Sequence, residues 1–336
     1  MKKIFCFCAL VALAACEHVS ADVEASGLEA DACGRVSVVI KQEQLPTKAL
    51  TDYTTALDEE KLVKDVAVFV FDKTTGLLNA YKSIGSLSAE CEFNLNVGEK
   101  LIYAVVNGPD LSSVTDVGQL EQTVDDLSGS NIQSDGLVMV GKQICSVEAG
   151  KSVEPVVQVK RMVARVVLQK VTNKVAPQYG NIIINSIFLG DANTCQTISG
   201  DVSGTVNPGG YSDASKTRPI GKSGETGSCP DYLYKDIFAP VVNGLYNTTK
   251  YHLYCHPSAA GTVTCLYMLV TIGGSQYYYR VPLQNGLKAN TTCSVEVEIV
   301  NLGAALPPDG DIQKGEIVAT VSIAGWDAGD SYKVEF

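Results

Sequence analysis

The amino-acid sequence predicts an all-β chain made of two tandem β-sandwich domains with one minor helix. Three observations lead there. Apolar residues alternate with polar ones over short runs rich in β-branched and aromatic side chains; Gly, Asn, Asp and Pro fall between the runs; and helical spacing is sustained over one clear stretch. Alternation has a physical cause, because successive side chains of a strand point to opposite faces, and a half-buried strand needs an apolar residue at every second position. Many short strands separated by turn residues suggest sandwiches.

In chain order, strand-like runs fall at residues 36–40, 66–71, 93–97, 101–106, 156–159, 163–168 and 182–189. The second half continues with 251–255, 265–272, 277–281, 294–300 and 317–323. Thr75-Gly76, Asn107-Gly108-Pro109, Gly273-Gly274 and Asn285-Gly286 lie between them and supply the residues that reach positive φ in hairpins. The helix is expected over about 114–127, where Val117, Leu120, Val124 and Leu127 have helical spacing. A domain boundary is expected near residues 172–178, where a long apolar strand gives way to a polar stretch containing Pro177. Residues 194–230, rich in Gly, Ser, Thr and Asp, read as a long surface excursion.

The first residues, Met1-Lys2-Lys3, precede an apolar run that ends in Leu13-Ala14-Ala15-Cys16. This is the order of a signal peptide, too short to span a bilayer. Its end has the form of a lipobox, in which diacylglycerol is attached to the Cys16 sulfur and the peptide is cut before it. The acyl chains would hold the precursor in a membrane, each buried methylene adding about 0.8 kcal/mol.

Asp and Glu number 37 against 26 Lys and Arg, a net charge of −11, and no Lys/Arg cluster stands out, so nucleic acid is excluded as a partner class. Cys33, Cys91, Cys145, Cys195, Cys229, Cys255, Cys265 and Cys293 follow Cys16 in a chain expected to leave the reducing cytosol. Their pairing is not readable from sequence; Cys255 and Cys265, on consecutive strand-like runs, are the best candidates for a bridge. No Cys-x-x-Cys spacing points to zinc, and no metal or cofactor is expected.

An enzymatic reading finds little support. The sequence has no Gly-x-Ser-x-Gly, P-loop or dinucleotide motif. His252, Cys255 and His256 could form a ligand trio, but on a strand His252 and Cys255 face opposite ways. His18 lies in the leader. Trp326 with Tyr277, Tyr278 and Tyr279 could form a sugar-stacking platform, although strand tyrosines more often pack within a sheet.

Four segments carry a family resemblance: Lys61-Leu62-Val63-Lys64-Asp65-Val66-Ala67-Val68-Phe69-Val70-Phe71-Asp72; Arg161-Met162-Val163-Ala164-Arg165-Val166-Val167-Leu168; Tyr278-Tyr279-Arg280-Val281-Pro282-Leu283 followed by Cys293-Ser294-Val295-Glu296-Val297-Glu298-Ile299; and Val318-Ala319-Thr320-Val321-Ser322-Ile323-Ala324-Gly325-Trp326. In this order, with the lipobox, they resemble the fimbrillin family of Bacteroidales, the subunits of type V pili. The second segment is similar to the strand that closes the family's amino-terminal domain.

The resemblance implies transthyretin-like sandwiches, no enzymatic activity, and an assembly route. A lipoprotein reaches the outer membrane, a trypsin-like maturation protease removes its first strand, and a segment of another copy or a related subunit fills the groove. The implied organisation is a signal peptide at 1–15, a propeptide with the removable strand at 16–48, an amino-terminal domain at 49–172 and a carboxy-terminal domain at 173–336. Val36, Val38 and Ile40 would form the plug strand. The expected cut falls between Lys48 and Ala49; Arg35 is the competing site, but cutting there would leave the plug attached. Ile317, Ala319, Val321 and Ile323 share one face of the candidate donor strand, and Tyr332, Val334 and Phe336 continue the alternation. The fibre would act in adhesion to a host or bacterial surface. The alternatives are an outer-membrane-anchored glycan- or ligand-binding lipoprotein and an anchor or tip subunit of the same fibre.

Overall fold

A computed structural model describes residues 33–43, 56–127, 132–200, 218–219, 226–227, 232–258, 261–283, 286–304, 317–325 and 331–335. The first domain contains β1 (Cys33–Ser37), β2 (Val39–Gln42), β3 (Val66–Asp72), β4 (Leu78–Ile84), β5 (Glu92–Asn96) and β6 (Gly98–Val106). It continues through α1 (Val117–Gln122), β7 (Val124–Asp126), α2 (Ile132–Asp135), β8 (Met139–Val147), β9 (Ser152–Val153) and β10 (Val156–Arg161). A six-stranded sheet in the order β2-β10-β8-β6-β3-β4 and a three-stranded sheet in the order β5-β1-β9 bury one shared core. Val66, Val68 and Val70 of β3 meet Val36 of β1 and Leu95 of β5 there. The alternate residues of β3, Ala67, Phe69 and Phe71, are also buried, against Tyr103 and Leu120 of α1 on the other face of the large sheet. A strand covered on both sides carries a continuous apolar run, as Val66–Asp72 does.

The second domain starts at β11 (Ala164–Asn173) and includes β12 (Ile182–Gly190), β13 (Cys195–Thr197) and a two-residue ladder of β14 (Arg218–Pro219) with β15 (Thr226–Gly227). Then come β16 (Tyr234–Pro240), β17 (Leu245–Tyr246), β18 (Tyr251–Cys255), β19 (Cys265–Ile272), β20 (Ser275–Pro282), β21 (Thr291–Ile299), β22 (Ile317–Gly325) and β23 (Ser331–Glu335). One sheet runs β17-β11-β21-β22-β23, with β18 also paired to β11; the other runs β16-β12-β19-β20. Their inner faces, including Val166, Leu168, Ile184, Val270, Val295 and Val321, form the larger core. Gly273 and Gly274 turn β19 into β20 at φ of 57° and 87°, the left-handed pair that a two-residue hairpin requires.

Three expectations are corrected. The boundary at 172–173 lies too late: β11 pairs with β21 from Arg165↔Thr292 to Asn173↔Ile299, so residues 164–172 belong to the second sandwich. The polar stretch around Pro177 is a loop inside that domain, with a short 3-10 turn at Pro177–Tyr179. The helix is also shorter than its apolar spacing suggested. Asp116 caps its start by accepting from the Gln119 N–H at 3.0 Å, and it ends at Gln122. Val124 then enters β7, because Val124–Asp126 pairs with Cys195–Thr197 of β13 and this tertiary ladder outweighs helical spacing. Finally, Cys255 and Cys265 are free thiols on strands of different sheets, β18 beside β11 and β19 beside β12. All the described cysteines are free.

Candidate functional site: the plug segment and the domain seam

The segment β1–β2 crosses from one sheet of the first sandwich to the other. β1 is the central strand of the small sheet, antiparallel to β5 from Cys33↔Asn96 to Ser37↔Glu92 and parallel to β9 at Arg35↔Ser152. After Val38, β2 joins the edge of the large sheet and runs parallel to β10 from Val39↔Val156 to Gln42↔Val159. Main-chain bonds continue through the crossing: Val38 N–H donates to Cys91 O at 2.8 Å and Val39 N–H to Pro155 O at 3.0 Å. Val36, Val38 and Ile40 are 0%, 5% and 4% exposed in the first core. Gly34 marks a close approach, since a Cβ there would sit 2.5 Å from Glu148 O.

Arg35 lies inside this ladder. Its N–H donates to Lys151 O at 3.0 Å, and its exposed guanidinium pairs with Glu92, which holds that carboxyl below its usual range. Cys16, Lys48 and Ala49 fall outside the described residues, as do His18 and Trp326. The polypeptide that follows the expected cut is pinned at Glu60, in a short 3-10 turn at Glu59–Lys61.

Glu60 is fully buried at the seam between the domains. One carboxylate oxygen accepts from Arg165 Nη1 and from the Leu57 N–H, both at 2.6 Å, and the other accepts from Tyr254 Oη at 2.6 Å. Burial and the neighbouring Glu60 carboxylate push the Tyr254 phenol far upward, so it remains a donor. Arg161, 1% exposed, donates to Glu60 O at 3.3 Å. With its amide oxygen turned to the guanidinium, Gln42 at the end of the plug accepts from Arg161 at 2.7 and 3.1 Å. One buried network thus joins the plug, the start of the first domain and the second domain. Sequence reading missed it; the available signal was Arg161 and Arg165 interrupting an apolar strand run, where an unpaired charge would be very costly.

Elsewhere along the seam, His256 Nε2 lies 3.2 Å from Asp125 Oδ2, with both side chains buried, but the pair lacks hydrogen-bond geometry. His252 is half-buried, and burial first, then Arg165, pushes its imidazole down to about 4. No group of three or more His, Cys, Asp and Glu side chains is arranged as metal ligands among the described residues. Tyr279 is buried and donates to Asn301 O at 2.8 Å, while Tyr277 and Tyr278 pack against the second core, so the three do not form an open platform.

A polar cleft of about 600 Å³ opens where β8 and β10 meet residues 196–200 of the second domain. Lys142 donates to Tyr103 Oη at 3.1 Å and lies 3.5 Å from Glu121. Glu43, just past the plug, closes one end and accepts from Asn290 Nδ2 at 3.3 Å. The excursion expected at 194–230 therefore begins as ordered structure, with Ile198 buried against the first domain.

At the carboxy-terminal end, Ile317, Ala319, Val321 and Ile323 are all buried in the second core. β22 is held from both sides, by β21 from Thr291↔Gly325 to Ile299↔Ile317 and by β23 from Thr320↔Glu335 to Ala324↔Ser331.

Fold and site together define a class: a tandem β-sandwich protein whose first core is completed by a short segment from upstream of a linker. Residues 35–158 match the family model described as major fimbrial subunit protein (FimA), a span from inside β1 to inside β10. The solved fimbrilin of Porphyromonas gingivalis W83 superposes with a TM-score of 0.65 at 16% identity, covering 90% of this chain and 100% of its own. A putative cell adhesion protein of Bacteroides eggerthii gives 0.64 at 17%, covering 87% and 96%. One from Parabacteroides distasonis gives 0.58 at 17%, covering 89% and 99%. At these identities the structural likeness shows the shared fold. No curated protein sequence matches the chain.

Proposed function

We propose that the chain is a structural subunit of a cell-surface fimbrium, a type V pilus, that polymerises by proteolysis-triggered donor-strand exchange and serves adhesion. The observation that carries this reading is the position of Val36, Val38 and Ile40: buried in the first core, yet on a segment joined to the rest of its domain only through the linker after Glu43. The precursor is exported, lipidated at Cys16 and carried to the outer membrane; a trypsin-like protease then cuts after Lys48. Arg35 is the poorer site, because it is bonded within a ladder and a protease needs extended, unpaired backbone.

Loss of β1–β2 would free the β10 edge at Val156–Val159 and remove the central strand between β5 and β9. Unpaired backbone and three vacated apolar positions would then receive an extended segment of another subunit. The donor is assigned to β22–β23, whose alternate apolar residues would exchange one core for another. Head-to-tail contacts of this kind do not close on themselves, so they propagate as a filament.

The test is limited trypsin treatment of the purified precursor, followed by amino-terminal sequencing and negative-stain microscopy. A single cut after Lys48 and growth of fibres that are lost when residues 330–336 are removed, a truncation that leaves β22 paired to β21, support the proposal. A cut product that stays monomeric overturns it.

A further inference from the structure

We infer that the cleft between β8, β10 and residues 196–200 is a binding site for a carboxylated sugar of the hexuronic acid class. This does not depend on strand exchange, since the described lining residues all belong to one uncleaved chain. Gln196 provides the first observation. Its side chain is 5% exposed, its amide nitrogen is used on Gly200 O at 2.9 Å, and its Oε1 has no hydrogen-bond partner. A buried acceptor left unpaired costs about 1–3 kcal/mol, and Gln196 is one of the residues that line the cleft. A ligand hydroxyl supplies the missing donor.

Charge is the second observation. In an acidic chain the cleft is lined by Lys142, Lys160 and Arg161 against Glu43. Arg161 is occupied by Gln42 and Glu60, and Lys142 by Tyr103 and Glu121. Lys160, on an exposed β10 position, has no ion pair among the described residues. One available ammonium fits one carboxylate. Beside it on the same face, Gln158 offers an amide able both to donate to and to accept from hydroxyls, and Val156 gives an apolar ledge for the C–H face of a ring.

The volume lies within the range of small-molecule sites. In the uncleaved chain an added peptide strand is disfavoured as occupant, because the backbone of β8 is already paired to β6 and that of β10 to β2.

The probe is D-galacturonic acid titrated into the full chain by isothermal calorimetry and ligand-observed NMR, with D-galactose as the uncharged control. Saturable binding of the acid at least about tenfold tighter than of galactose is expected, as is a loss of about tenfold in Lys160→Ala. Gln158→Ala should weaken binding, and Glu43→Gln should strengthen it by removing a competing carboxylate. Lys160 and Gln158 are exposed strand positions, so unchanged unfolding midpoints certify that both variants are folded. Absence of saturable binding, equal binding of galactose, or indifference to Lys160→Ala overturns the assignment.

Discussion

The plug segment β1–β2 and the strand β22 share an alternation of buried apolar side chains but are held differently. Val36 of β1 and Ile40 of β2, with Val38 between the two strands, belong to a segment that divides its backbone bonds between two sheets, antiparallel to β5 and parallel to β9 and β10. Ile317, Ala319, Val321 and Ile323 sit on one long strand flanked by antiparallel partners on both sides. Parallel pairs are slightly weaker per residue than antiparallel ones, while β1 is also held antiparallel to β5 as the central strand of the small sheet. Similar burial of alternate side chains thus accompanies different backbone pairing.

The most severe test is truncation. Ending the chain after residue 316 strips β22 from β21 and should abolish cooperative unfolding of the second domain by calorimetry, whereas ending it after residue 329 removes only the edge strand β23 and should leave that transition in place. Similar loss from both truncations would show that β22 depends on β23 and would break the contrast with the plug.

Next in size is Glu60→Ala. Removing one partner of a buried ion pair strands the Arg165 charge and should lower stability by about 3–5 kcal/mol in denaturant titration, while the double variant Glu60→Leu with Arg165→Met should recover most of it. Failure of the double variant to recover would mean that the seam needs the polar network for its geometry.

Smaller is Val36→Ala, expected to cost about 2 kcal/mol through lost burial and the cavity left behind. Ile323→Val should cost about 1 kcal/mol. The plug variant, unlike the strand variant, should speed dissociation of the cleaved segment, which size-exclusion chromatography would detect.

The pH dependence has a definite sign. The folded-state pKa of His252 is lowered from 6.5 to about 4 by burial, so the unfolded chain binds more protons between those values. Stability from this group is complete above pH 6.5 and falls as pH drops toward 4. His252→Gln should flatten the unfolding midpoint against pH in that window. The smallest effect belongs to Arg35→Ala: its pair with Glu92 is exposed, and the change should stay within about 0.5 kcal/mol.

Legibility followed physical cause. β3, β12, β19 and β21 were readable because each presents apolar side chains to a core at strand spacing. β8 was not, since its middle, with Lys142, Gln143 and Ile144 exposed, borders the cleft instead of a core. The plug was visible as alternation, but its change of sheet at Val38 was not, because a side-chain pattern carries no information about which backbone lies alongside. The cleft was equally silent: Gln158 and Lys160 are separated from Gln196 along the chain, and nothing local marks them as neighbours.

The sequence by itself determined the strand content, the turn positions and the acidic composition, all of which rest on residue counts and short-range pattern. Only the tertiary structure decided that residues 164–172 belong to the second sandwich, that helix α1 stops at Gln122, and that Glu60 joins both domains to the plug. Each depends on which distant strand or buried charge is closest in space. Hydrogen-bond partners and desolvated charges are chosen across the whole fold, and side-chain periodicity does not record them.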